Sequence, residues 1–179
     1  MQVADRNRTQ RTIVTLAVVC AILELALAPN VGIGLGRANF ALVFSACIAF
    51  LIGGRTGVIC GFAAGLFFDL STTGPIGLMA LLCTVASYLM GMEVRNKLAN
   101  EPGGTIVQFA IVTFAVSLVY HLMMLVLGDS TSLFEAIFLR TLPTTLLTVI
   151  AFLPFALVLS RRDSGGSSLG GAHSAKRLR

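Results

Sequence analysis

Apolar residues fall into six runs, at roughly 12–28, 38–53, 56–70, 75–92, 105–128 and 134–160. Breaker clusters separate them: Pro29 with Gly32, Gly34 and Gly36, then Gly53-Gly54-Arg55, then Thr73-Gly74-Pro75. Glu101-Pro102-Gly103-Gly104 and Gly128-Asp129-Ser130 complete the set. No run sustains the strict alternation that a membrane barrel strand requires. Several runs are nearer to about 16 residues than to the ~20 of an ordinary span, which predicts some short or recessed helices. The expected fold is an all-α membrane protein, a compact bundle of about six transmembrane helices over residues 12–160. A basic N-terminal tail (1–11) and a disordered, Ser/Gly-rich basic tail (161–179) flank it, both cytoplasmic.

Within the third run, Gly57, Gly61 and Gly65 recur every fourth residue and Asp69 continues the series. Positions four apart stack along one helix face, so the three glycines form a groove without side chains, and Asp69 ends that face about 18 Å from Gly57. Glycine costs about 1 kcal/mol per residue in an aqueous helix. Three at this spacing predict a surface that another helix approaches closely, as small-xxx-small faces do in lipid, whether that helix belongs to this chain or to a partner.

Composition assigns the class. The chain is 56% hydrophobic and 12% charged with a mean hydropathy of +0.89, against about 25% charged residues in soluble domains. The net charge of +5 is distributed as an orienting signal rather than as a nucleic-acid surface. Arg6, Arg8, Arg11, Arg55, Arg95, Lys97, Arg161, Arg162, Lys176, Arg177 and Arg179 all fall on one side of a six-span bundle. The opposite loops contain Arg37, with Asp129 and Glu135 adding acid. The positive-inside rule then places both termini in the cytoplasm. Ala26-Leu27-Ala28 imitates a signal-peptidase site, but Pro29 after the cut and Glu24 within the run favour a retained helix. Cys20, Cys47, Cys60 and Cys83 lie inside apolar runs without metal or redox spacing and are expected to be packing residues.

Four ionisable residues lie within or at the end of spans: Glu24, Asp69, His121 and Arg140. Each such group costs about 2.5–3.5 kcal/mol at a helix centre on insertion scales, so it faces protein or water. All four count into the outer half of a six-span bundle. Two arrangements accommodate them: a shared polar pocket opening outward, or a Glu24–Arg140 ion pair that fixes helix register with His121 hydrogen-bonded within the bundle. A Ser117/His121/Asp69 hydrolase lacks a nucleophile elbow, and a metal site lacks a second suitable ligand, since His173 lies in the tail. No cofactor is expected, and nucleotide-binding loops and nucleic-acid motifs are absent.

The stretches Arg55-Thr-Gly57-Val-Ile-Cys-Gly61-Phe-Ala-Ala-Gly65-Leu-Phe-Phe-Asp69-Leu, Thr73-Gly74-Pro75-Ile-Gly77-Leu-Met-Ala80-Leu and Ser87-Tyr88-Leu-Met-Gly91 resemble the signature of the MreD family of bacterial rod-shape-determining inner-membrane proteins. The resemblance is strongest over residues 37–92, and the length, the Pro29 turn and the six-run hydropathy agree with it. It implies a non-enzymatic scaffold of the cell-elongation machinery, with Gly57, Gly61, Gly65, Asp69, Gly77 and Gly91 at the family's helix-packing positions and no catalytic residues. The partners it implies are an MreC-like periplasmic protein, RodA with its transpeptidase, and the actin-like MreB, with membrane lipid around the bundle and no nucleic acid. Small substrate-binding subunits of vitamin transporters resemble the same helical plan. They provide the rival reading, in which Glu24, Asp69, His121 and Arg140 line an outward pocket for a small polar molecule. A lipid-handling protein with an outer-leaflet groove is a third.

Overall fold

Each apolar run becomes one helix. The computed structural model describes residues 2–28, 30, 32–33, 36–95, 102–128 and 132–166. In chain order the helices are α1 (Gln2–Ala26), α2 (Phe40–Leu51), α3 (Gly54–Ser71), α4 (Leu78–Arg95), α5 (Pro102–Val126) and α6 (Leu142–Gly166). Two very short antiparallel strands, β1 (Gly32–Ile33) and β2 (Gly36–Arg37), form a hairpin between α1 and α2. A π-helical segment, Glu135–Thr141, leads into α6.

The helix ends depart from the hydropathy boundaries for identifiable reasons. Residues 2–11, expected as a tail, belong to α1, because Gln, Ala and Arg are good helix formers that hydropathy does not mark. Residues 161–166, expected as disordered, continue α6; the remainder of that tail and Pro29 lie outside the described residues. The α2–α3 connection is one tight turn, made by Gly53 and Gly54 at φ +61° and +58°, a left-handed conformation that favours glycine. Pro143 explains the π segment. It has no amide hydrogen, and its ring would crowd the carbonyl four residues back in a regular helix. The backbone widens instead, and the Leu142 amide donates to the Ile137 carbonyl five residues earlier.

The second helix forms the centre of the bundle. Every residue from Phe40 to Ala49 is buried, packed by α1, α3, α4 and α6. Leu42, Val43, Ala46 and Cys47 face a core with Met79, Cys83, Ala86 and Met90 of α4, Phe109 of α5 and Phe152 of α6. Phe109 and Phe152 stack with ring centroids 4.1 Å apart and join α5 to α6. On the other side Phe40, Phe44 and Ile48 pack with Cys20 and Leu147. Cys20, Cys47 and Cys83 are buried free thiols and Cys60 is partly buried, all within apolar packing.

The periphery is apolar as well. Val14, Val18, Ile22 and Leu25 of α1 are exposed at helical spacing, as are Val107 and Ile111 of α5 and Leu146, Ile150, Leu153 and Leu157 of α6. An apolar coat of this extent is suited to hydrocarbon rather than water. Three segments, Thr9–Ala26, Gly104–Val126 and Ile137–Val158, are long and apolar enough to cross a membrane, and Phe40–Leu51 and Leu78–Met92 are shorter apolar helices. The observed architecture is an all-α membrane bundle.

Candidate functional site

The glycine face meets a helix of the same chain. A Cβ built on Gly61 would fall against Ser87 Oγ and lie 2.9 Å from the Cys83 carbonyl oxygen. One on Gly65 would lie 2.5 Å from the Met79 carbonyl oxygen and 2.6 Å from Ala80 Cα. Both neighbours are on α4, so the groove seats α4 against α3. Gly57 points elsewhere: its Cβ would rest 3.4 Å from Ala49 Cα on α2, an ordinary contact. Gly91 is also in ordinary contact range, 3.8 Å from the Gly54 amide nitrogen. Gly77 is required for its backbone rather than for packing, at φ +99° with open space where a Cβ would stand.

Asp69 completes this joint. It is buried at the end of α3, and its carboxylate accepts from three amides at the start of α4. The Gly77 and Ala80 amides donate to Oδ2 at 2.8 and 3.1 Å, and the Met79 amide donates to Oδ1 at 3.1 Å. The first amides of any helix lack intrahelical acceptors, and a carboxylate there also meets the positive end of the helix dipole. Asp69 is thus a cap supplied by the preceding helix. The same device recurs one hairpin earlier. Glu24, near the end of α1, is buried and its Oε2 accepts from the Phe40 amide at 2.7 Å, while Asn39 caps α2 through the Leu42 amide at 3.0 Å.

Glu24, His121 and Arg140 line one cavity of about 420 Å³, and Asp69 does not reach it. Sequence spacing alone grouped the four; the structure brings three together and assigns the fourth to the α3–α4 joint. The Glu24 carboxylate accepts from the α2 backbone at Phe40, and Glu24 and Arg140 both line this cavity. His121 Nδ1 lies 2.8 Å from the Ser117 carbonyl oxygen and 3.2 Å from Thr141 Oγ1. The ring thus contacts the backbone of Ser117 and the hydroxyl of Thr141, while Asp69 is engaged at the α3–α4 joint.

Sequence reasoning passed over Arg37, Asn39, Tyr120 and Thr144, which share the cavity wall. Arg37 is delivered by the hairpin, which is fastened to α6 by the Arg37 amide donating to Thr144 Oγ1 at 3.3 Å and the Asn39 amide donating to Thr148 Oγ1 at 3.1 Å. Gly36 permits that seat, because a Cβ there would lie 2.7 Å from both Pro143 Cγ and the Thr144 nitrogen. The sequence signal available for Arg37 was its isolation, as the one cation in the expected outer loops. Tyr120 lines the cavity from α5, with its ring edge-on to Phe68 of α3 at 6.0 Å.

Compared with known proteins, residues 6–161 match the family model described as rod shape-determining protein MreD. No curated protein and no solved structure matches the chain.

Proposed function

We propose a scaffolding role, and it proceeds from the family: the chain belongs to the MreD family of rod shape-determining proteins. It is a membrane protein concerned with cell shape. Our reading is that it acts without chemistry of its own, holding components of peptidoglycan synthesis in the inner membrane through association with an MreC-like protein, and through it with RodA, its transpeptidase and MreB. The observation that carries this reading is the use made of the two buried carboxylates. Glu24 and Asp69 are both engaged with backbone amides of the next helix, as structural caps, instead of being poised toward a reacting group. In this reading all six helices cross the bilayer and both termini are cytoplasmic, as the distribution of eleven of the thirteen basic residues suggests.

Two experiments test it. Reporter fusions after residues 34 and 131 should read periplasmic and one after residue 99 cytoplasmic; a periplasmic signal after residue 165 sinks the even span count. Depletion in a rod-shaped host should give swollen or rounded cells with mislocalised elongation synthesis and unchanged vitamin uptake. The cavity of about 420 Å³ is the one observation favouring the rival, a substrate-binding subunit of a small-molecule transporter. Depleted cells of normal width, rescued by a single external nutrient, would establish that rival instead.

A further inference from the structure

We propose that the cavity walled by Glu24, Arg37, His121 and Arg140 binds the phosphate of a glycerol-type head group. This goes beyond the scaffold reading and stands on the cavity alone. Its volume of about 420 Å³ lies within the range of roughly 300–1,000 Å³ typical of small-molecule sites. Two arginines and one carboxylate line it, and Glu24 already accepts from the Phe40 amide. The lining is therefore net positive before any charge on His121.

Two helix starts, of α2 and α4, lie at the same end of the bundle. Their leading amides are already used, those of Phe40 and Leu42 by Glu24 and Asn39, and those of Gly77, Met79 and Ala80 by Asp69. Attraction for an anion thus falls to the guanidinium groups, whose planar forks match phosphate oxygens in pairs. The fold commits unusual backbone to presenting them. Arg140 sits in the π-helical segment, a form that is rare and often found at functional sites. Arg37 sits on a hairpin fastened to α6 through Thr144.

The rest of the lining is amphiphilic in the sense a lipid head group requires. Thr73 offers a hydroxyl for a glycerol and Ser71, which donates to the Phe67 carbonyl, an acceptor oxygen, while Leu25 and Met124 supply an apolar wall. Leu25 is 59% exposed on the outer surface of α1, so the cavity adjoins the surface that faces hydrocarbon. A phosphate ester can reach it as the head group of a phospholipid or as a soluble ester.

The full chain, purified in detergent, separates these sources. Native mass spectrometry should find phosphatidylglycerol retained about tenfold more than phosphatidylcholine, whose phosphate is the same but whose choline cation meets a net positive lining. Arg37→Gln should bring the two lipids to parity and Arg37→Lys should restore part of the preference, while Arg55→Gln, an exposed cation outside the cavity, should leave it unchanged. Calorimetric titration with glycerol 3-phosphate identifies the source: saturable binding means the soluble ester suffices, and phosphatidylglycerol preference without it means the lipid is the ligand. Equal retention of both lipids together with no glycerol 3-phosphate binding overturns the proposal. So does a preference that survives Arg37→Gln, a substitution at an exposed side chain that keeps the test valid even if Arg140→Gln fails to fold.

Discussion

Gly65→Ala, the addition of a single methyl group, should lower stability more than most leucine-to-alanine changes in the same core. The new carbon would stand 2.5 Å from the Met79 carbonyl oxygen and 2.6 Å from Ala80 Cα, both backbone atoms of α4 that no rotamer change can move. Relief requires the α3–α4 pair to separate, which also pulls Asp69 from the amides it caps. Overpacking costs about 1–3 kcal/mol in ordinary cores, and with the caps loosened the loss here should reach the upper end or beyond. The three glycines should form a graded series. Gly61→Ala meets a side chain, Ser87, and a carbonyl at 2.9 Å, so it should fall between. Gly57→Ala finds 3.4 Å of room and gains up to about 1 kcal/mol of helix propensity, so it should be neutral or stabilising. Phe62→Leu, on the exposed face, is the control. Thermal unfolding of the detergent-purified variants reads the order directly. Equal midpoints for Gly57→Ala and Gly65→Ala would remove close helix approach as the reason for the motif.

Asp69→Ala should be nearly as damaging, and it should act on the start of α4 first. Removing the carboxylate strands three amide donors, two of them at buried residues, and an unsatisfied buried group costs about 1–3 kcal/mol. Asp69→Asn keeps one oxygen. If that oxygen replaces Oδ2, it retains the Gly77 and Ala80 bonds and turns an NH2 group toward the Met79 amide. The expected order of accumulated protein is therefore wild type, then Asn, then Ala. Hydrogen exchange should rise at residues 77–80 well before it rises in α5. Had this residue capped a partner's helix, the Asn variant would accumulate normally and lose only its association. Full-level accumulation with unchanged exchange at 77–80 would restore that alternative.

These two results concern the part of the molecule most legible in the sequence. Helix existence followed from the six runs, because breakers as strong as Gly53-Gly54 and Gly74-Pro75 leave little freedom. The spacing of Gly57, Gly61 and Gly65 told of a close approach because glycine is costly without one. It did not tell which helix approaches, since a four-residue repeat fixes a face and not its partner, and Gly57 turned out to face α2 rather than α4.

The cavity was legible only in part. Glu24, His121 and Arg140 announced themselves as charges within apolar runs. Asp69 looked identical by that criterion, yet its acceptors are spent on a connection only a few residues long. Sequence counting gives depth along a helix and says nothing about the side on which a neighbour's backbone ends. Arg37 was hidden for a different reason: strands of two residues have no periodicity, so the hairpin that delivers it left no signal beyond glycines. The π segment was marked only by Pro143, whose missing amide is plain in the sequence but whose accommodation depends on the packing around it.

The length of α2 has a consequence for how the protein meets its solvent. Twelve residues rise about 18 Å, against a hydrocarbon core of about 30 Å. A helix that short on the rim of a bundle would oblige the lipid to thin around it. Here Phe40 to Ala49 are enclosed by protein, so the lipid never senses the shortfall. Hydrophobic mismatch is registered instead by the rim helices, whose apolar windows run Thr9–Ala26, Gly104–Val126 and Ile137–Val158. Membrane thickness can then change the tilt of the rim while the centre, with its capped helix starts, keeps one geometry.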